Sequence, residues 1–189
     1  MLNIWNMNRL FIYFFINVFI TCLPFSGEGQ IKWVTWEEAM EKSKTDKKKI
    51  VVDIYTDWCG WCKKMDKTTF SDERIVKYIN KHYYAIKLDA EFKNEILFNG
   101  QSYQYTKYGN RGYHELATML LNGKMSFPSM VFLDEKFTLI QAIPGYQDEI
   151  NFLMITTYFG RNAHKNTPWQ KYSADFKVED FDINVAKKK

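Results

Sequence analysis

The chain has 189 residues, 46% of them hydrophobic and 17% aromatic, which suffices for one substantial core with a short appendage rather than two domains. Its 26 basic and 22 acidic side chains leave a net charge of +4, too small a surplus to argue for nucleic-acid binding.

Residues 1–26 read as an export signal. Met1 to Arg9 is polar with one positive side chain, and Leu10 to Leu23 is nearly all apolar. That run is short of the roughly 20 residues that span a bilayer and suits a signal-peptide core. An uncleaved anchor is the alternative. Cys22 ends the run, either as a discarded signal residue or as a lipid attachment point; Phe19-Ile20-Thr21 before it favours the first. Once the signal is removed only Cys59 and Cys62 remain, so no framework of disulfides staples the fold. A single close pair in an exported chain points to a pair that reacts.

The domain is expected over residues 27–160. Ile31-Lys32-Trp33 is a strand candidate, and Thr35-x-x-Glu38 has the spacing of a capping box opening a helix to about Lys44. Ile50 to Tyr55 is a β-branched run of strand length, apolar enough to be central in a sheet. Helix continues over Lys63 to Thr68, and Ser71 is placed to cap another from about Asp72 to Lys81. Tyr84 to Asp89 is the next strand, completing a right-handed strand–helix–strand crossover and hence a parallel pair.

From about 92 to 112 the pattern lapses into an insertion. Asn99-Gly100 offers a hairpin turn, and the tyrosines Tyr103, Tyr105, Tyr108 and Tyr113 suit either a packed insertion or a stacking surface. Tyr113 to Leu121 is expected to be helical, ended by Gly123. Met130 to Leu133 and Thr138 to Ala142 read as strands around an Asp134–Phe137 turn. Asp148 to Tyr158 reads as a last helix with Ile150, Leu153, Met154 and Thr157 on its apolar face. Residues 161–189 are an extension packed by Trp169, Tyr172 and Phe176 that then frays.

Chemistry concentrates at Asp57-Trp58-Cys59-Gly60-Trp61-Cys62-Lys63. Two cysteines placed after a strand and opening a helix put the first sulfur at the helix amino terminus, where unpaired amides and the dipole favour a thiolate. The second lies one turn deeper, placed to attack a mixed disulfide on the first. Cys59 is therefore expected to be the exposed nucleophile and Cys62 the resolving thiol. Half of a zinc site is the rival, but such sites take about four ligands, and His82, His114 and His164 supply no second pair.

The segment from Val52 to Lys63 resembles the active-site segment of the thioredoxin superfamily, and Lys64 to Asp72 narrows the likeness to exported proteins related to the carboxy-terminal domain of DsbD. The resemblance covers about residues 31–160. It implies an α/β thioredoxin fold, a central mixed sheet flanked by helices on both faces, with the insertion before a cis-proline loop. It assigns Asp53, six residues before Cys59, the place of a buried acid whose proton affinity rises by desolvation, suited to take the proton of Cys62 through water. Lys87 takes the place of an accompanying lysine, either paired with Asp53 or exposed on its strand. Phe127-Pro128 matches the cis-proline loop, although Phe127 departs from the threonine or isoleucine often found there. Gly145 matches a glycine that a partner chain approaches, or is an ordinary turn residue. Trp58, Gly60 and Trp61 would form the contact rim.

The implied function is dithiol–disulfide exchange with protein disulfide substrates outside the cytoplasm, in the sense of a reductase whose electrons come from a membrane thiol carrier or another redox partner. No cofactor or metal is implied, because the cysteines carry the two electrons, and the chain is expected to be a monomer. An oxidase or isomerase, a peptide-binding module of the same fold, and metal delivery through the pair are the alternatives.

Overall fold

The computed structural model describes residues 29–109 and 111–181, so the signal-peptide reading, Cys22 and the fraying end of the tail lie outside the described residues. Helix α1, Trp36–Lys42, begins at the capping box read from the sequence: Thr35 Oγ1 accepts from the Glu38 amide, and Glu38 Oε2 accepts from the Thr35 amide, each at 3.2 Å. Strand β1, Lys49–Tyr55, follows, then α2, Gly60–Lys67, and α3, Glu73–His82. Strand β2, Tyr83–Asp89, lies parallel to β1 with Asp53 opposite Lys87.

The segment read as an insertion forms two hairpins, β3 (Ile96–Phe98) with β4 (Gln101–Tyr103) and β5 (Tyr105–Tyr108) with β6 (Arg111–His114). Helix α4, Glu115–Leu120, leads to β7, Ser129–Leu133, and β8, Leu139–Pro144. The main sheet runs β2-β1-β7-β8, with β7 antiparallel to both of its neighbours. Helix α5, Glu149–Gly160, and α6, Trp169–Asp175, complete the fold.

Strand alternation divides the core between the two faces of this sheet. Ile50, Val52 and Ile54 point to one face, where they meet Trp36, Leu116 and Leu120. Val51 points to the other, with Met65, Ile75, Phe152 and Phe159. Each fully buried aliphatic side chain contributes about 1.5–3 kcal/mol.

Several local expectations are corrected. Ile31 to Trp33 is not a strand; it makes a single parallel bridge, Trp33 to Ala85. Asp72, not Ser71, caps α3: its carboxylate accepts from the amides of Arg74 at 2.9 Å and Ile75 at 3.4 Å, while Ser71 closes a short 3-10 turn. Tyr113 and His114 are strand rather than helix, because the insertion holds a second hairpin that the sequence pattern did not announce. His114 ends that hairpin and caps α4: its Nδ1 accepts from the Leu116 amide at 3.2 Å, and its Nε2 lies 3.1 Å from the Asn94 carbonyl oxygen. The Asn99-Gly100 turn forms as expected, with φ of +50° and +77°, the left-handed values that these two residue types tolerate.

The inner face of α5 also differs. Ile150 is 50% exposed, whereas Phe152, Leu153, Ile155 and Phe159 are buried. The sheet covers one side of the helix and the extension covers the other. Tyr158 meets Trp169 and Tyr172 at ring distances of 5.2 and 4.9 Å, and the Tyr172 hydroxyl donates to Thr157 Oγ1 at 2.9 Å. With burial nearly all round, a one-sided apolar stripe was the wrong template. Phe152→Ala is expected to destabilise the fold by about 3–5 kcal/mol, and Ile150→Ala by no more than about 0.5 kcal/mol; urea unfolding monitored by tryptophan fluorescence distinguishes them.

Candidate active site

The site forms where β1 ends. Cys59 stands at the N-cap of α2 with extended backbone, donates its amide to the Thr56 carbonyl at 3.1 Å, and turns Sγ back to accept the Cys62 amide at 3.1 Å. A sulfur thereby does what a serine or aspartate oxygen does at other helix starts, and the first turn carries no acidic side chain to oppose it. Cys59 and Cys62 are joined as a disulfide across a Cα separation of 5.3 Å. The expectation of an exposed outer sulfur is corrected: Cys59 is 5% exposed against 4% for Cys62. In the closed form Cys59 Sγ faces the helix and its partner, which draws it under the surface. Gly60 beside it is exposed, with nothing near the position a Cβ would take.

Alternation along β1 puts Asp53 on the Val51 face, toward α2, where it is 2% exposed. Its Oδ2 lies 3.3 Å from Lys87 Nζ, and its Oδ1 has no protein partner. Lys87 is thus paired rather than merely exposed. It also donates to Asp66 and lies over the rings of Trp33, Tyr55 and Phe70. Burial pushes the Asp53 carboxyl up from its ordinary value of 3.8 to about 6; Lys87 opposes the rise and Asp66 adds to it. For Lys87 burial works against the charge, but the two carboxylates outweigh it and its pKa is raised. A cleft of about 480 Å³ lined by Trp33, Tyr55, Lys87 and Asp89 opens onto the ammonium side.

The register Ile54 to Ser129 brings the loop before β7 to this end of β1. The Phe127-Pro128 bond is cis, and the Pro128 carbonyl accepts from the Gly145 amide at 2.8 Å. Gly145 has φ of +90°, a conformation that suits glycine and accounts for that residue locally. Trp58 and Trp61 are 62% and 58% exposed. Trp58 meets Phe127 edge-on at 5.8 Å and donates to Glu91 Oε1 at 3.2 Å. Trp61 lies 5.4 Å from Tyr146, with the Lys64 ammonium over both rings. Cys59, Cys62, Asp53, Lys87, Trp58, Gly60, Trp61, Phe127, Pro128 and Gly145 therefore lie toward one end of the sheet. Sequence reasoning missed Asp66, Glu91, Tyr146 and the placement of Tyr113. A signal for Asp66 was available, since it follows Cys62 by four residues and so shares its helix face. Among the described residues no group of three or more His, Cys, Asp or Glu side chains is placed to hold a metal.

A four-stranded mixed sheet, a disulfide at a helix start and a cis-proline beside it define a thioredoxin-like protein. Residues 36–160 match the family profile of the thioredoxin-like domain, and the chain belongs to that family. It is 37% identical over 59 residues to the thiol:disulfide interchange protein DsbD of Campylobacter jejuni, a match that covers 31% of this chain and 10% of that protein. It is 27% identical over 107 residues to the disulfide bond reductase DsbH of Chlamydia pneumoniae, covering 56% and 58% of the two chains. The fold is similar to that of a thioredoxin-fold protein from Helicobacter pylori, with a TM-score of 0.54, 19% identity and coverage of 68% of this chain and 81% of that one.

Because Asp53 holds its proton more tightly when folded than its ordinary value of 3.8 implies, ionising it opposes folding. The penalty is absent below about pH 4 and complete above about pH 6, where a two-unit shift corresponds to about 3 kcal/mol. Oxidised Asp53→Asn is therefore expected to be more stable than wild type by about 2–3 kcal/mol at pH 8 and to match it near pH 4, measured by chemical unfolding at the two pH values.

Proposed function

We propose that the chain is an exported thiol–disulfide oxidoreductase that reduces protein disulfides. The observation that carries this reading is the closed Cys59–Cys62 pair with Cys59 Sγ at the start of α2, taking the Cys62 amide. When the pair is reduced, the same helix end favours the Cys59 thiolate. That thiolate attacks one sulfur of a substrate disulfide, forming the Cys59–substrate bond and releasing the other substrate sulfur as thiolate. Cys62 loses its proton, attacks Cys59 Sγ, closes the internal disulfide and releases the second substrate thiol. Two electrons leave the protein, and a dithiol partner such as a membrane thiol carrier returns them.

Asp53 is the candidate acceptor for the Cys62 proton, by way of water: it lies on the α2 side of β1, and its raised proton affinity suits a base working near neutrality. Lys87 holds that carboxylate in place. The surface formed by Trp58, Gly60, Trp61, Phe127, Pro128 and Gly145 is the substrate-binding region. Export rests on the apolar run from Leu10 to Leu23, and among the described residues no helix is long and apolar enough to cross a membrane.

Cys59→Ala is expected to abolish reduction of insulin disulfides, and Cys62→Ala to accumulate the mixed disulfide with substrate, seen as a covalent adduct on a non-reducing gel. Full activity in Cys59→Ala would falsify the reading. The direction is tested by the reduction potential of the couple against glutathione: a value near −270 mV is expected for a reductase, whereas one near −120 mV would make the protein an oxidant.

A further inference from the structure

The insertion that interrupts the shared fold ends at the substrate-facing surface. Its second hairpin is held in a fixed place. The His114 amide donates to the Ala90 carbonyl at 2.7 Å, and the Glu115 carboxylate accepts from the Gln104 amide at 3.0 Å and from Thr106 Oγ1 at 2.8 Å. Alternation along β6 sends His114 into the core, fully buried, and Tyr113 to the opposite face, where it is half-buried. The Tyr113 ring lies 5.9 Å from Phe127, and Phe127 lies 5.8 Å from Trp58. Glu91 takes the Trp58 indole N–H, and the Glu91 amide donates to Asp89. A row of three rings thus runs from the insertion to the residue before Cys59, anchored at its far end by a carboxylate.

We propose that Tyr113 is a specificity-determining residue that, with Phe127 and Trp58, holds an apolar or aromatic side chain next to the disulfide cysteine of an extended substrate segment. This deepens the oxidoreductase reading and rests on it. The surface is continuous with the disulfide through Trp58, which is 62% exposed, and offers ring faces rather than charges. Carboxylates border it: exposed Asp57 in the chain beside Trp58, Glu91 on its indole, and Asp89 behind Glu91, the last within reach of the Lys93 charge. Ring faces bordered by carboxylates favour apolar neighbours of the substrate cysteine and disfavour acidic ones.

The test uses the full chain and two linear peptides in which serine replaces the cysteine, one flanked by Phe and Leu and the other by Glu. Binding is followed by tryptophan fluorescence. The apolar peptide is expected to bind about tenfold or more tightly than the acidic one, and Tyr113→Ala to weaken it about fivefold, with Tyr113→Phe restoring it. Tyr113→Leu keeps bulk against Phe127 and serves if alanine disturbs the hairpin; the same weakening is expected. Equal affinity for the two peptides, or an unchanged preference in the variants, overturns the proposal. The serine peptides cannot exchange disulfides, so this outcome is separate from that of the oxidoreductase reading, which reduction of a small disulfide by the wild-type chain tests directly.

Discussion

The parallel register of β1 against β2 is the constraint from which the site follows. With Asp53 opposite Lys87, a carboxyl buried in the sheet meets the Lys87 ammonium, and the same parity sends Ile50, Val52 and Ile54 to the other face. A slip of one residue would turn Asp53 into that apolar cluster, away from Lys87, and set an aliphatic side chain against the Lys87 ammonium, an exchange opposed by desolvation of both charges and by misfit packing on both faces. The strand therefore has one register in which core and chemistry are satisfied together. Because β1 ends at Tyr55, the cysteines follow at a fixed distance from the acid.

Lys87 divides its charge between two carboxylates that differ in surroundings, Asp53 inside and Asp66 at the surface. The inner one keeps an oxygen without a protein partner. A buried acid so poorly compensated holds a proton readily, and this is why burial among apolar neighbours pushes the Asp53 carboxyl up to about 6.

Much of this was legible from residue types alone. The capping box at Thr35 and Glu38, the β-branched run of β1, the Asn-Gly turn and the cysteine spacing each act over a few residues, so local chemistry decides them. What escaped depended on distant partners. The apolar stripe expected on α5 assumed one covered side, whereas the extension covers a second. The β6 strand of the second hairpin buries only Gly112 and His114, residue types that leave no apolar alternation to read. The concealment of Cys59 follows from its bond to Cys62, which spacing permits but does not impose. The likeness to the thioredoxin superfamily supplied the cis-proline and Gly145, which no propensity argument would have selected.

His114 joins the insertion to α4 through both ring nitrogens, and this restricts the ring to a single tautomer. Facing a carbonyl, Nε2 must carry the hydrogen; facing an amide, Nδ1 must carry none. Burial keeps the imidazole neutral by lowering its pKa. The imidazolium would place a second hydrogen against the Leu116 amide, so acid loosens the hairpin's return and the start of α4 in one event. A single titrating ring thus acts as the hinge pin between the paired hairpins and the helix that follows them.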